Sequence, residues 1–135
     1  MHNFFFAYIT AFVAMTIIDF VWLTRVAPAF YRKHIGHILA EKTNTTAAVL
    51  FYLIFILGVA YFVVYPSWDG QKSLVETGLI GALFGFVTYA TYDLTNNATV
   101  KKWPAIVTIV DMTWGTVLVA AVSVVSVAFL NAVIH

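Results

Sequence analysis

The chain has 135 residues, of which 62% are apolar, 17% aromatic and 10% charged. Soluble domains carry about 45–50% apolar and about 25% charged residues, so a soluble domain and a disordered tail are both excluded. A net charge of +1 offers no basic field for nucleic acid. The lack of cysteine removes thiolate catalysis, cysteine metal sites and disulfides.

The apolar excess falls into four blocks of roughly twenty residues, the length that crosses a bilayer's hydrocarbon core. The first span covers about residues 3–23. It has no basic leader and no small-residue cleavage pattern before Asp19 and Trp22, so it is expected to stay in the mature protein. The connection from Arg25 to Asn44 is the one long loop. It predicts a helix over about 28–42 with Phe30, Tyr31, Ile35, Ile38 and Leu39 opposite a basic side, a pattern that lies in the membrane interface.

The second span covers about 46–65, and Pro66, Ser67, Asp69 and Gly70 predict a turn after it. The third runs over about 74–96. Pro104 suits a first helical position and opens the fourth, about 105–130. The expected fold is one all-α domain over residues 1–135, with four transmembrane helices and an interfacial amphipathic helix between the first two. Four helices make a narrow bundle, so membrane lipids and a second copy of the chain are the expected partners.

Six of the seven Lys and Arg residues (Arg25, Arg32, Lys33, Lys42, Lys101 and Lys102) fall in the first and third connections, and Lys72 alone lies in the second. The positive-inside rule makes the first side cytoplasmic and turns both termini outward. Asp19 aligned with Asp93 also matches Phe12-Val13 with Phe86-Val87, and Asp19-x-x-Trp22 looks like Asp111-x-x-Trp114. Tandem duplication of a helical hairpin is one reading, and chance matching of apolar sequence is the other.

Three of the six acidic residues, Asp19, Asp93 and Asp111, fall inside spans. A carboxylate at membrane depth costs several kcal/mol or so unless it is protonated, paired or facing a watery cavity. The topology places all three within roughly 10 Å of the cytoplasmic interface. Their neighbours suit a polar pocket. Tyr89, Tyr92, Asp93 and Asn96 follow helical spacing, Trp22 lies one turn beyond Asp19, and Trp114 stands beside Asp111. Gly78, Gly81 and Gly85 allow a close helix approach, which predicts the third span as the central one. The ordinary alternatives are that Asp19 pairs with Arg25, that Asp93 ends its helix, and that Asp111 bonds Trp114 or a neighbouring helix.

His34 and His37 share a helical face, and with the aspartates they offer a mixed ligand set. A basic headgroup-facing side is the plainer reading, and no metal is expected. His2 and His135 sit at the ends and carry no argument. Trp68, Trp103, Tyr61 and Tyr65 lie at span ends, where aromatic belts form. No nucleotide, hydrolase or metalloprotease motif occurs.

The run Tyr92-Asp93-Leu94-Thr95-Asn96, followed by Ala98-Thr99 and Asp111-x-x-Trp114-Gly115-Thr116, resembles a family of small four-span bacterial inner-membrane proteins classed as a domain of unknown function. Asp19-x-x-Trp22-Leu23, Phe30-Tyr31-Arg32 and Gly36-His37 extend the resemblance over nearly the whole chain. The resemblance implies an inner-membrane location and supplies neither activity nor cofactor. The leading expectation is a cytoplasm-facing acidic pocket that binds or transports a proton, a cation or a small amine. Asp19, Asp93 and Asp111 would carry the charge, and Tyr89, Tyr92, Asn96, Trp22 and Trp114 would line the pocket. The alternatives are a membrane-embedded enzyme acting on a lipid and an accessory subunit whose polar layer fixes helix register.

Overall fold

A computed structural model describes residues 2–134, so His135 lies outside the described residues. The described chain is all-helical: α1 (Phe4–Arg25), α2 (Ala27–Ile35), α3 (Thr45–Val59), a π-helical turn (Ala60–Val64), α4 (Tyr65–Asp69), α5 (Leu74–Thr99) and α6 (Ala105–Val133). α3, the π turn and α4 form one continuous helix, Thr45–Asp69. With α1, α5 and α6 it makes four helices long and apolar enough to cross a membrane.

Local chemistry sets the starts. The Asn3 side chain accepts from the Phe5 N–H (2.8 Å), Asn44 from Ala47 (3.1 Å) and Ser73 from Glu76 (3.0 Å), each relieving an orphan donor of a first turn. Pro104 precedes α6 without a side-chain cap. Gln71 and Lys102 take φ of 54° and 59° in the two tight connections, where the chain must reverse.

The second span does not stop at Pro66. The helix continues to Asp69, and the turn falls at Gly70, Gln71 and Lys72. The expected break is absent because the Tyr65 N–H reaches five residues back to the Ala60 carbonyl. The widened turn leaves Pro66 in the first turn of α4, where its missing N–H is tolerated.

The central helix is α6, not the glycine-bearing α5. α6 packs along α5, crosses α1 and touches both the π turn and α4. It buries Leu118, Val119, Val122, Ser123, Ser126, Val127 and Leu130. The glycine stripe serves this one neighbour. A Cβ on Gly81 would lie 2.8 Å from Ser123 Oγ, and one on Gly85 would run into the Gly115 backbone. Only small residues permit that approach.

The half of the bundle nearest the N-terminus is closed. Ala7, Ala11, Val59, Ala60, Val64 and Trp68 join the α6 residues in one core. Trp68 is no part of an aromatic belt, being 1% exposed. The chain end covers it: the His2 ring lies 3.9 Å from its ring, the His2 N–H donates to Asp69 (3.0 Å), and the Tyr65 hydroxyl donates to the His2 carbonyl (3.0 Å). α2 is shorter than the pattern predicts. It ends at Ile35 before Gly36, a poor helix former, and the following turn brings Leu39 back toward the bundle.

Candidate functional site

Asp19, Asp93 and Asp111 each lie six positions from a helix end: Arg25 for α1, Thr99 for α5 and Ala105 for α6. At 1.5 Å per residue that is about 9 Å of depth for all three. All are buried, at 4%, 1% and 8% exposure. They line one cavity of about 370 Å³ at the end of the bundle that carries α2.

Aromatic side chains form most of its wall. Trp22 comes from α1, Tyr31 from α2, Phe51, Tyr52 and Phe55 from α3, Tyr89 and Tyr92 from α5, and Trp114 from α6. Trp103, just before α6, lines it too and donates its indole N–H to Thr108 Oγ1 (3.0 Å). Gly115 makes room for one wall, since a Cβ there would strike the Tyr89 ring. No Lys, Arg or His is among the lining residues.

Two Asp-x-x-Trp segments interlock across α1 and α6. Because the two helices run in opposite directions, Trp114 lies one turn deeper than the two aspartates and Trp22 one turn nearer the α2 end. The Trp114 indole N–H donates to Asp19 Oδ1 (3.2 Å), and the two indoles stack with centroids 4.6 Å apart and planes 9° from parallel. Tyr52 donates to Asp19 Oδ2 (2.5 Å). Tyr31 donates to Asp111, with Trp22 beside its hydroxyl. Burial, then the hydrogen bond to Asp111, pushes the Tyr31 hydroxyl above its ordinary value, which keeps it a neutral donor.

Asp93 differs from the other two. Its Oδ1 is buried and receives no donor. Asp93 shares the cavity wall with Asp111, and two bare carboxylates in one poorly solvated site repel unless a proton or a cation stands between them. The backbone beside it is tied down, because Thr108 Oγ1 donates toward the Asp93 carbonyl and Asn97 Oδ1, both at 3.3 Å.

The cavity gathers Asp19, Asp93, Asp111, Trp22, Trp114, Tyr89 and Tyr92. Asn96 is not among its lining; its carbonyl instead accepts the Val100 N–H (2.8 Å), and its side chain lies beside the Tyr92 hydroxyl. Asp19 takes its hydrogen bonds from Tyr52 and Trp114 rather than from Arg25. Asp93 does not end its helix, because α5 runs on to Thr99. His34 packs on Phe30 with centroids 4.7 Å apart, and His37 is exposed. Among the described residues no group of three or more His, Asp or Glu side chains is placed to hold a metal.

Sequence reasoning missed Tyr31, Tyr52 and Trp103. The amphipathic pattern of α2 does not separate a Tyr31 that meets lipid from one that meets the bundle, and Trp103 at a span end suits an aromatic belt equally well. Tyr52 had one readable signal: it is a hydroxyl seven positions inside a span that is otherwise apolar there, level with the aspartates.

The chain matches no curated protein and no solved structure. The family described as "Predicted membrane protein (DUF2177)" matches residues 4–128, and the chain belongs to that family.

Proposed function

We propose that the protein is a one-sided binding pocket for a cationic small molecule, with an organic amine as the preferred class. The cavity that carries Asp93 and Asp111 in its wall, with no basic side chain beside them and one Asp93 oxygen buried without a donor, carries this reading. A protonated amine brings donors for Asp93 and Asp111 together with the positive charge that the cavity wall lacks. The stacked Trp22 and Trp114 add ring faces, which attract cations. The closed half of the bundle, sealed by Trp68, favours binding over conduction.

The arrangement of Lys and Arg supports a pocket in the cytoplasmic half of a bacterial inner membrane, with both termini outside. The pocket is complete within one copy, so a homodimer would be an assembly of two such sites. The enzymatic alternative has no Ser, Cys, Lys or His among the lining residues to recommend it.

The test is native mass spectrometry of the protein in phosphatidylcholine nanodiscs with butylamine added. The wild type should carry the amine. Asp93→Asn and Asp111→Asn should lose it, and Glu41→Gln, a change on the exposed loop, should keep it. An adduct that persists in both aspartate variants defeats the reading, as does a wild type that never binds. The same spectra report the number of copies.

A further inference from the structure

The kind of amine is set by where the cavity opens, a step that rests on the amine-binding reading above. The backbone of the second span meets α5 chiefly at the π turn. Nearer the α2 end the two diverge. Phe51 on α3 and Tyr92 on α5 border the cavity there, and they are 49% and 54% exposed. Phe51 lies six positions from the start of α3 and Tyr92 seven from the end of α5. The opening therefore reaches from the α2 end down to the depth of the carboxylates, about 9–10 Å inside the helix ends. In a bilayer a gap at that depth faces acyl chains, not water. Leu23 and Leu39, 45% and 48% exposed, continue the apolar rim toward α2.

The interior and the rim thus ask for opposite ends of one molecule. Three carboxylates with no basic side chain beside them reject a phosphate, which would bring further negative charge into a poorly solvated site. A cavity of about 370 Å³ is at the small end of ligand pockets. It suits a head and the first methylenes of one chain, with the remainder outside.

We infer that the pocket is loaded sideways from the bilayer by a single-chain amphiphile with an amine head and no phosphate. The ammonium sits between Asp93 and Asp111, and the chain leaves between α3 and α5 across Phe51.

The experiment compares dodecylamine, butylamine, dodecanol and dodecyl phosphate on the full chain in phosphatidylcholine nanodiscs, with occupancy read by native mass spectrometry. Dodecylamine is expected to bind at least tenfold more tightly than butylamine, and dodecanol and dodecyl phosphate to leave the pocket empty. Phe51→Ala should weaken dodecylamine several-fold more than butylamine, while Asp93→Asn should weaken both at least tenfold. Equal binding of the two amines would overturn sideways loading and leave the amine pocket standing. Dodecanol or dodecyl phosphate binding as well as dodecylamine would overturn the charge argument in both readings. If neither amine depends on Asp93, both readings fall together.

Discussion

The same four helices build both halves of the bundle, yet one half is close-packed and the other hollow. In the closed half, Ala7, Ala11, Gly81, Gly85 and Ser123 are small enough to let the helices pack closely. In the open half, indole and phenol rings hold the helices apart around three carboxylates. The open half is also the more polar, since Asp19, Asp93, Asp111, Asn96 and Asn97 all fall in it. Side-chain size then decides whether a cavity forms, because tight interiors leave few voids larger than a water molecule.

The comparison breaks most sharply at the contact that holds the closed half shut. Gly85→Ala, which drives a Cβ into the Gly115 backbone, should cost about 3 kcal/mol, the upper end for overpacking. Gly78→Ala meets only the tip of Val124, at 3.1 Å, and should cost well under half as much. Thermal unfolding in nanodiscs reads both, and equal losses would mean that the glycine stripe is not the closing device.

The open half should respond in the reverse way. Asp93→Asn and Asp111→Asn are expected to lower amine affinity by roughly tenfold to a hundredfold, the value of a charge-assisted hydrogen bond. They should leave the unfolding midpoint unchanged or raise it, because one of two facing like charges is gone. A large drop in the midpoint with affinity intact would instead make the polar layer a register device.

Tyr31→Phe should cost about 1 kcal/mol, visible as faster amide exchange in α2 while α6 stays protected. The sign of its pH dependence follows from the raised hydroxyl value. The neutral phenol is favoured by folding, so its contribution is complete below about pH 10, the ordinary tyrosine value, and is lost as pH rises beyond it. The tyrosinate absorbance difference between wild type and Tyr31→Phe should therefore appear only above that pH. Trp22→Phe is the mildest change. It should remove about 0.5–1 kcal/mol of ring pairing with Trp114, read as a small fall in amine affinity, with Trp68→Phe in the closed half leaving that affinity untouched.

Four spans, an intervening short helix and the common depth of Asp19, Asp93 and Asp111 were legible in the sequence. Length, hydropathy and distance from a helix end are local quantities. The central helix was not legible. The glycines of α5 mark one tight face, whereas α6 is buried through Val, Leu and Ser on several faces, and those residues look the same whether they meet lipid or protein. The positions of Tyr31 and Trp103 escaped for a related reason. An aromatic at a span end suits the interface equally well until the chain is seen to fold back over the cavity. Trp68 depended on His2, sixty-six positions away in the chain.

The π turn in the second span has a consequence for helix phase. Phe55, Ile56, Val59, Ala60, Val63, Val64, Ser67 and Trp68 are all buried, a series of adjacent pairs recurring every four positions. A helix of 3.6 residues per turn advances such a stripe by about 40° at each repeat, or about 120° from Phe55 to Ser67, enough to swing Trp68 out to lipid. One turn that accommodates an extra residue winds the stripe back. Deleting exposed Tyr61 or Phe62 would therefore turn the segment into an ordinary α-helix with the same face inward. A one-residue deletion within Leu74–Thr99 or Ala105–Val133 has no such slack to absorb it and would rotate everything beyond it by about 100°.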